Sequence, residues 1–126
     1  MNNYYKIYIG MDRRKELKEQ YKNIRPDMGI FIVRPNSNNK CFIEIASDLK
    51  SKINRTKFQL EFGNHPNEEL QKEWKDLGEK SFKIEVLEKL KHDENNSKTD
   101  YTEDLALLKM IWLEKLIKKG MVFYKK

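Results

Sequence analysis

A single cysteine, five glycines and three prolines occur among the 126 residues. No apolar run approaches the ~18 residues a membrane span requires. Cys41 alone excludes an internal disulfide and cannot by itself build a zinc site. It lies in a strand-like run, which reads as a buried, inert thiol. The first residues are polar and rich in Asn and Tyr, without the apolar core of a signal peptide. A soluble, cytoplasmic protein with no membrane partner is expected. With 38% hydrophobic and 11% aromatic residues, a chain of this length buries one modest core, so a single α+β domain is the default.

What the chain has in excess is positive charge. The net +6 at pH 7 and pI near 9.3 suit an acidic partner such as nucleic acid. The distribution qualifies this. Five lysines stand against one glutamate over 114–126, so much of the excess reads as a solvated basic tail. Arg13, Arg14 and Lys15 interleave with Asp12, Glu16 and Glu19, the pattern of a salt-bridged exposed helix face.

Gly29–Val33 and Cys41–Ile45 are β-branched and aromatic runs separated by Pro35-Asn36-Ser37-Asn38-Asn39, which predicts a β-hairpin. The asparagines suit the loop because they tolerate positive φ and bond their own backbone. Asp12 opens a predicted helix over 12–24 whose Leu17, Tyr21 and Ile24 make one narrow apolar face. After the hairpin, Ser47-Asp48 caps a helix running to about Phe62 and ended by Gly63. Its buried face is expected to hold Leu49, Ile53, Leu60 and one phenylalanine. Pro66 or Asn67 starts another helix, with Leu70, Trp74 and Leu77 inward, which stops at Gly78. A third strand is expected over 81–88, and a mobile polar loop over 92–101. A last helix begins at Thr102-Glu103-Asp104, buries Leu105, Leu108, Trp112 and Leu116, and ends at Gly120.

The triplets Gly29-Ile30-Phe31 and Phe42-Ile43-Glu44 resemble the hairpin signature of the GIY-YIG nuclease family. Asn54-Arg55, Gly63-Asn64-His65, Trp74, Gly78 and Phe82 follow in an order similar to that family's helix-turn-helix-strand segment. The resemblance spans about 28–116, and the segment is similar to a degenerate form associated with helix-turn-helix transcription regulators. It implies a small, mainly antiparallel three-stranded sheet flanked by helices, here with an extra N-terminal helix. The expected division is an N-terminal extension over 1–27, a GIY-YIG-like domain over 28–118 and a basic tail over 119–126.

In active members of that family two tyrosines, an arginine and a glutamate supply water activation, charge stabilisation and a carboxylate ligand for a divalent ion. Such groups are what phosphodiester hydrolysis needs. The matching positions here hold Phe31, Phe42, Lys52 and Lys109. Phenylalanine keeps the ring but has no oxygen to accept or donate a proton. Lys52 keeps the charge without the planar fork of arginine, and Arg55, one turn on, can partly replace it. Lys109 puts a cation where the family binds one.

The resemblance therefore implies a catalytically degenerate, nuclease-like module with no catalytic residues and no metal. Its binding set for nucleic acid or phosphate is Lys52, Arg55 and Lys109, with Arg34 and Lys40 as outer contacts. Glu44 is read as an outward strand residue or as a rebuilt carboxylate near the old cleft, paired with Lys52 or Lys109. A divergent endonuclease using Mg or Mn through Glu44, and a protein-interaction or homodimerisation module, are the alternatives. His65 is read as a loop or capping residue, His92 as a loop residue, and Trp74 and Trp112 as core.

Overall fold

A computed structural model of the protein describes residues 25–94 and 98–125. The predicted helix over 12–24 lies outside them. The described chain runs β1 (Met28–Pro35), β2 (Lys40–Ala46), α1 (Leu49–Glu61), α2 (Glu68–Leu77), one 3-10 turn (Glu79–Ser81), β3 (Phe82–Leu90), α3 (Thr102–Lys118) and β4 (Val122–Phe123).

The strands form one mixed sheet in the order β3-β1-β2-β4. β1 and β2 pair antiparallel with Phe31 opposite Glu44 and Val33 opposite Phe42, so the predicted hairpin is present. Asn38 Oδ1 accepts from the Lys40 backbone N–H at 2.9 Å, the local bond expected of an asparagine in this loop. β3 flanks β1 on the other side, also antiparallel, with an irregularity between Ile30 and Phe31. There the backbones approach closely: a Cβ on Gly29 would lie 2.1 Å from the Glu88 carbonyl oxygen. Only glycine fits at that position.

Alternation along the strands separates two apolar layers. On one face Phe31, Val33 and Ala46 pack with Leu49 and Leu60 of α1, Leu70 and Trp74 of α2, Phe82 and Tyr124. On the other, Ile30, Ile32, Cys41 and Ile43 meet Leu108 and Leu116 of α3. β1, paired on both sides and buried at all but Arg34, is the centre of the molecule. The helix starts follow their caps: the Asp48 side chain accepts from the Ser51 N–H, and Asn67 from the Leu70 N–H. Gly120, at φ +82, adopts the left-handed turn that releases the chain from α3.

Several details differ from expectation. The sheet has a fourth strand: residues 119–126, expected as a solvated tail, are built into the fold as far as Tyr124. Val122 and Tyr124 donate to Asn39 and Cys41 carbonyls, and β4 runs parallel to β2. Both Phe58 and Phe62 are exposed, at 58% and 67%, and the inward position on α1 goes to Thr56. Leu77 is exposed, because it lies at the last residue of α2, past the layer Leu70 and Trp74 cover. Trp112 is only partly buried; its indole N–H donates to Glu88 Oε1 at 2.9 Å at the edge of β3. Around the polar loop, Tyr101 accepts from the Asp93 N–H, and His92 bonds the Pro26 carbonyl, so the described ends of this segment are tied down. Among the described residues no helix is long and apolar enough to cross a membrane.

Candidate nucleic-acid interface

β4 covers β2 only at Lys40 and Cys41. Beyond them the outer edge of β2 carries no described strand, and α1 and α3 flank it from opposite faces of the sheet. A cleft of about 610 Å³ opens there. Phe42 and Glu44 of β2 meet Lys52 and Arg55 of α1, Lys109 of α3 and His65 of the α1–α2 turn in its lining, with Phe123 and Tyr124 closing one side.

Each functional side chain owes its place to local sequence. Lys52 and Arg55 are three apart on α1, on the flank next to its buried stripe, so both project past the β2 edge. Lys109 sits beside buried Leu108 and Leu105, turned toward the same edge. Glu44, opposite Phe31 in the hairpin, points to the α1 face and meets Lys52: Nζ stands 3.2 Å from Oε1. The lining thus holds three cationic side chains and one carboxylate, and that carboxylate is paired with one of them.

The expected binding set divides. Lys52, Arg55 and Lys109 converge on the cleft, and Glu44 joins them in its lining. Lys40 does not. It faces α2, with Nζ 3.4 Å from Glu69 Oε1 and 4.0 Å from Glu73 Oε2. Arg34 is exposed on the α3 face of β1, outside the cleft lining. Phe42 lies in the cleft wall, whereas Phe31 is fully buried behind it.

Two groups in the wall were not singled out from sequence as site residues. His65 is buried, and its Nδ1 accepts from the Asn67 backbone N–H at 3.0 Å, so the capping role is real. That bond assigns the ring proton to Nε2. The imidazole also meets Phe42 edge-to-face at 5.1 Å. Burial holds its pKa below the ordinary histidine range, partly offset by the charge of Glu44. Tyr124 comes from the segment read as a tail. Its hydroxyl is buried beside Glu73 and meets no hydrogen-bonding geometry, and burial first, then that carboxylate, raise its pKa. A phenol so placed is no proton acceptor at neutral pH. Cys41 is buried, with a thiol pushed up to about 11 by burial, and is inert as expected.

A divalent ion does not fit this donor set. The cleft offers one carboxylate, already paired with Lys52, one imidazole with Nδ1 occupied, and three cationic side chains. Among the described residues no three His, Cys, Asp or Glu side chains converge as a metal site would require.

The fold is GIY-YIG-like. The described architecture superimposes on the catalytic domain of the homing endonuclease I-TevI with a TM-score of 0.61, at 21% identity, covering 79% of this chain and 99% of that one. A glutamate-to-alanine variant of the same domain, described as an intron endonuclease, matches with the same TM-score at 22% identity, over 79% and 92% of the two chains. At such identities the likeness is one of fold. No family model matches the sequence, and no curated protein does.

Proposed function

We propose that the protein binds the phosphates of nucleic acid in the cleft at the β2 edge and does not hydrolyse them. The observation that carries this reading is the convergence of Lys52, Arg55 and Lys109 on one cleft whose single carboxylate is neutralised by Lys52. Three cations at an edge with no described strand beside it form a site for a polyanion. Hydrolysis needs a proton acceptor and a stabiliser of developing charge. Phe31 and Phe42 have no oxygen, Tyr124 holds its proton, and no metal ligand set is present among the described residues.

Binding of a short labelled oligonucleotide across a salt series tests this. Affinity should fall with salt, with the slope of a few neutralised phosphates. Lys52→Ala with Lys109→Ala should reduce that slope by up to about 1.4–1.8, at 0.7–0.9 for each phosphate no longer neutralised, and by less to the extent that Lys52 is shared with Glu44. Alanines at Lys118, Lys119 and Lys125 should leave it unchanged. If instead only that second set flattens the slope, the cleft is not the binding site. The presence of Glu44 in the cleft favours one other reading, a divergent metal-dependent endonuclease, and the cleavage experiment described in the Discussion separates the two.

A further inference from the structure

Phe58 and Phe62 are the feature of α1 that packing does not explain. Both are more than half exposed, yet their rings are in contact, with centroids 4.4 Å apart and planes inclined by 33°. Spacing places them with respect to the cleft. Arg55, Phe58 and Phe62 stand at i, i+3 and i+7, one stripe along α1, on the flank that leads from the cleft-lining Lys52 and Gln59 out to solvent. A cationic cleft therefore continues along α1, from Arg55 to the exposed rings of Phe58 and of the C-cap residue Phe62.

We propose that Phe58 and Phe62 form a stacking platform for the unpaired bases of a single-stranded nucleic acid whose phosphates lie in the cleft. The inference rests on the phosphate-binding reading of that cleft. Charge complementarity fixes the partner: an apolar protein surface would not gain from Lys52, Arg55 and Lys109 at the edge of the patch, whereas a strand of alternating phosphates and π-faces uses both. Every base offers a face, so the platform is tolerant of sequence. Bases inside an intact duplex are stacked on one another and leave no face free for these rings. The single strand is therefore the preferred form, as DNA or RNA.

The test uses the full chain and labelled strands of about twelve nucleotides at low salt: oligothymidylate, oligouridylate, an abasic strand with the same number of phosphates, and a thymidylate–deoxyadenylate duplex. Phe58→Ala with Phe62→Ala should weaken binding of both unpaired strands by on the order of tenfold or more. Its binding to the abasic strand and the duplex, and its salt slope, should match the parent. Phe58→Tyr with Phe62→Tyr should retain the parent's affinity. Alanine favours the helix at the exposed position 58, and Phe62 is an exposed C-cap residue, so the variant should fold and melt with the parent. The proposal is overturned if the alanine variant binds oligothymidylate as tightly as the parent. It is equally overturned if that variant melts well below the parent, because the rings are then covered by the protein's own packing. If Lys52→Ala with Lys109→Ala leaves the abasic strand bound as before, the cleft reading itself fails, independently of the phenylalanine result.

Discussion

Glu44 of β2 and Lys52 of α1 form an ion pair of 3.2 Å in the wall of the cleft, and each is about a third exposed. The pair ties a strand edge to a helix and at the same time cancels one of three positive charges. At this exposure it adds at most about 1 kcal/mol to stability. Its larger effect is on whatever anion enters, because a phosphate must share Lys52 with a carboxylate.

Glu44→Gln should therefore raise affinity for a polyanion at low salt, by roughly threefold to tenfold, while changing the unfolding free energy by less than about 1 kcal/mol. Anisotropy with a short oligonucleotide and urea denaturation read the two quantities. An affinity that falls in this variant would show that Glu44 assists the ligand.

Incubation of plasmid or linear duplex with the protein and magnesium or manganese should give no cleavage above background. Phenylalanine rings without an oxygen, where the resemblance places tyrosines, would forfeit a factor on the order of 10²–10⁴. Metal-dependent nicking that disappears in Glu44→Ala would transfer the assignment to an endonuclease with a rebuilt carboxylate ligand.

Gly29→Ala should destabilise the fold by about 3 kcal/mol or more, since the added Cβ would sit 2.1 Å from the Glu88 carbonyl oxygen in the sheet centre. The urea midpoint measures it. A shift below about 1 kcal/mol would mean that β1 and β3 separate readily at that point.

His65 gives a pH dependence of definite sign. Its folded pKa lies below the ordinary 6.5, chiefly through burial, so the unfolded chain takes up the proton first. The stability it contributes is complete above 6.5 and is lost as pH falls from there through the lower folded value. Denaturation at a series of pH values should show this loss. His65→Asn, which offers an oxygen to the Asn67 N–H but no titratable ring, should lose less stability over the same interval.

The hairpin and the helix boundaries were legible in the sequence because they depend on neighbours in the chain. Asp48 and Asn67 cap at short range, and Gly78 and Gly120 follow the ends of α2 and α3 in the positive-φ region that glycine favours. Features set by distant approach were not. β4 is two residues long, too short for any alternation to show, and its flanking lysines masked the buried Tyr124. Hydrophobicity alone predicts one of Phe58 and Phe62 facing inward, whereas a helical wheel anchored on Leu49 and Leu60 points both away from the core, as observed. The convergence of Lys52, Arg55 and Lys109 was accessible only through the family resemblance. Lys40 was drawn away by Glu69 and Glu73, which lie on another helix.

Phe123 and Tyr124 give the cleft one of its walls, yet β4 is joined to β2 at only two residues and held by few backbone bonds, among them Val122 to Asn39 and Tyr124 to Cys41. Such a strand opens at a lower free energy than the hairpin it rests on. Its opening would give up the packing of two rings and leave β1, β2 and β3 paired. The width of the cleft on this side is set by how the short β4 segment seats against β2.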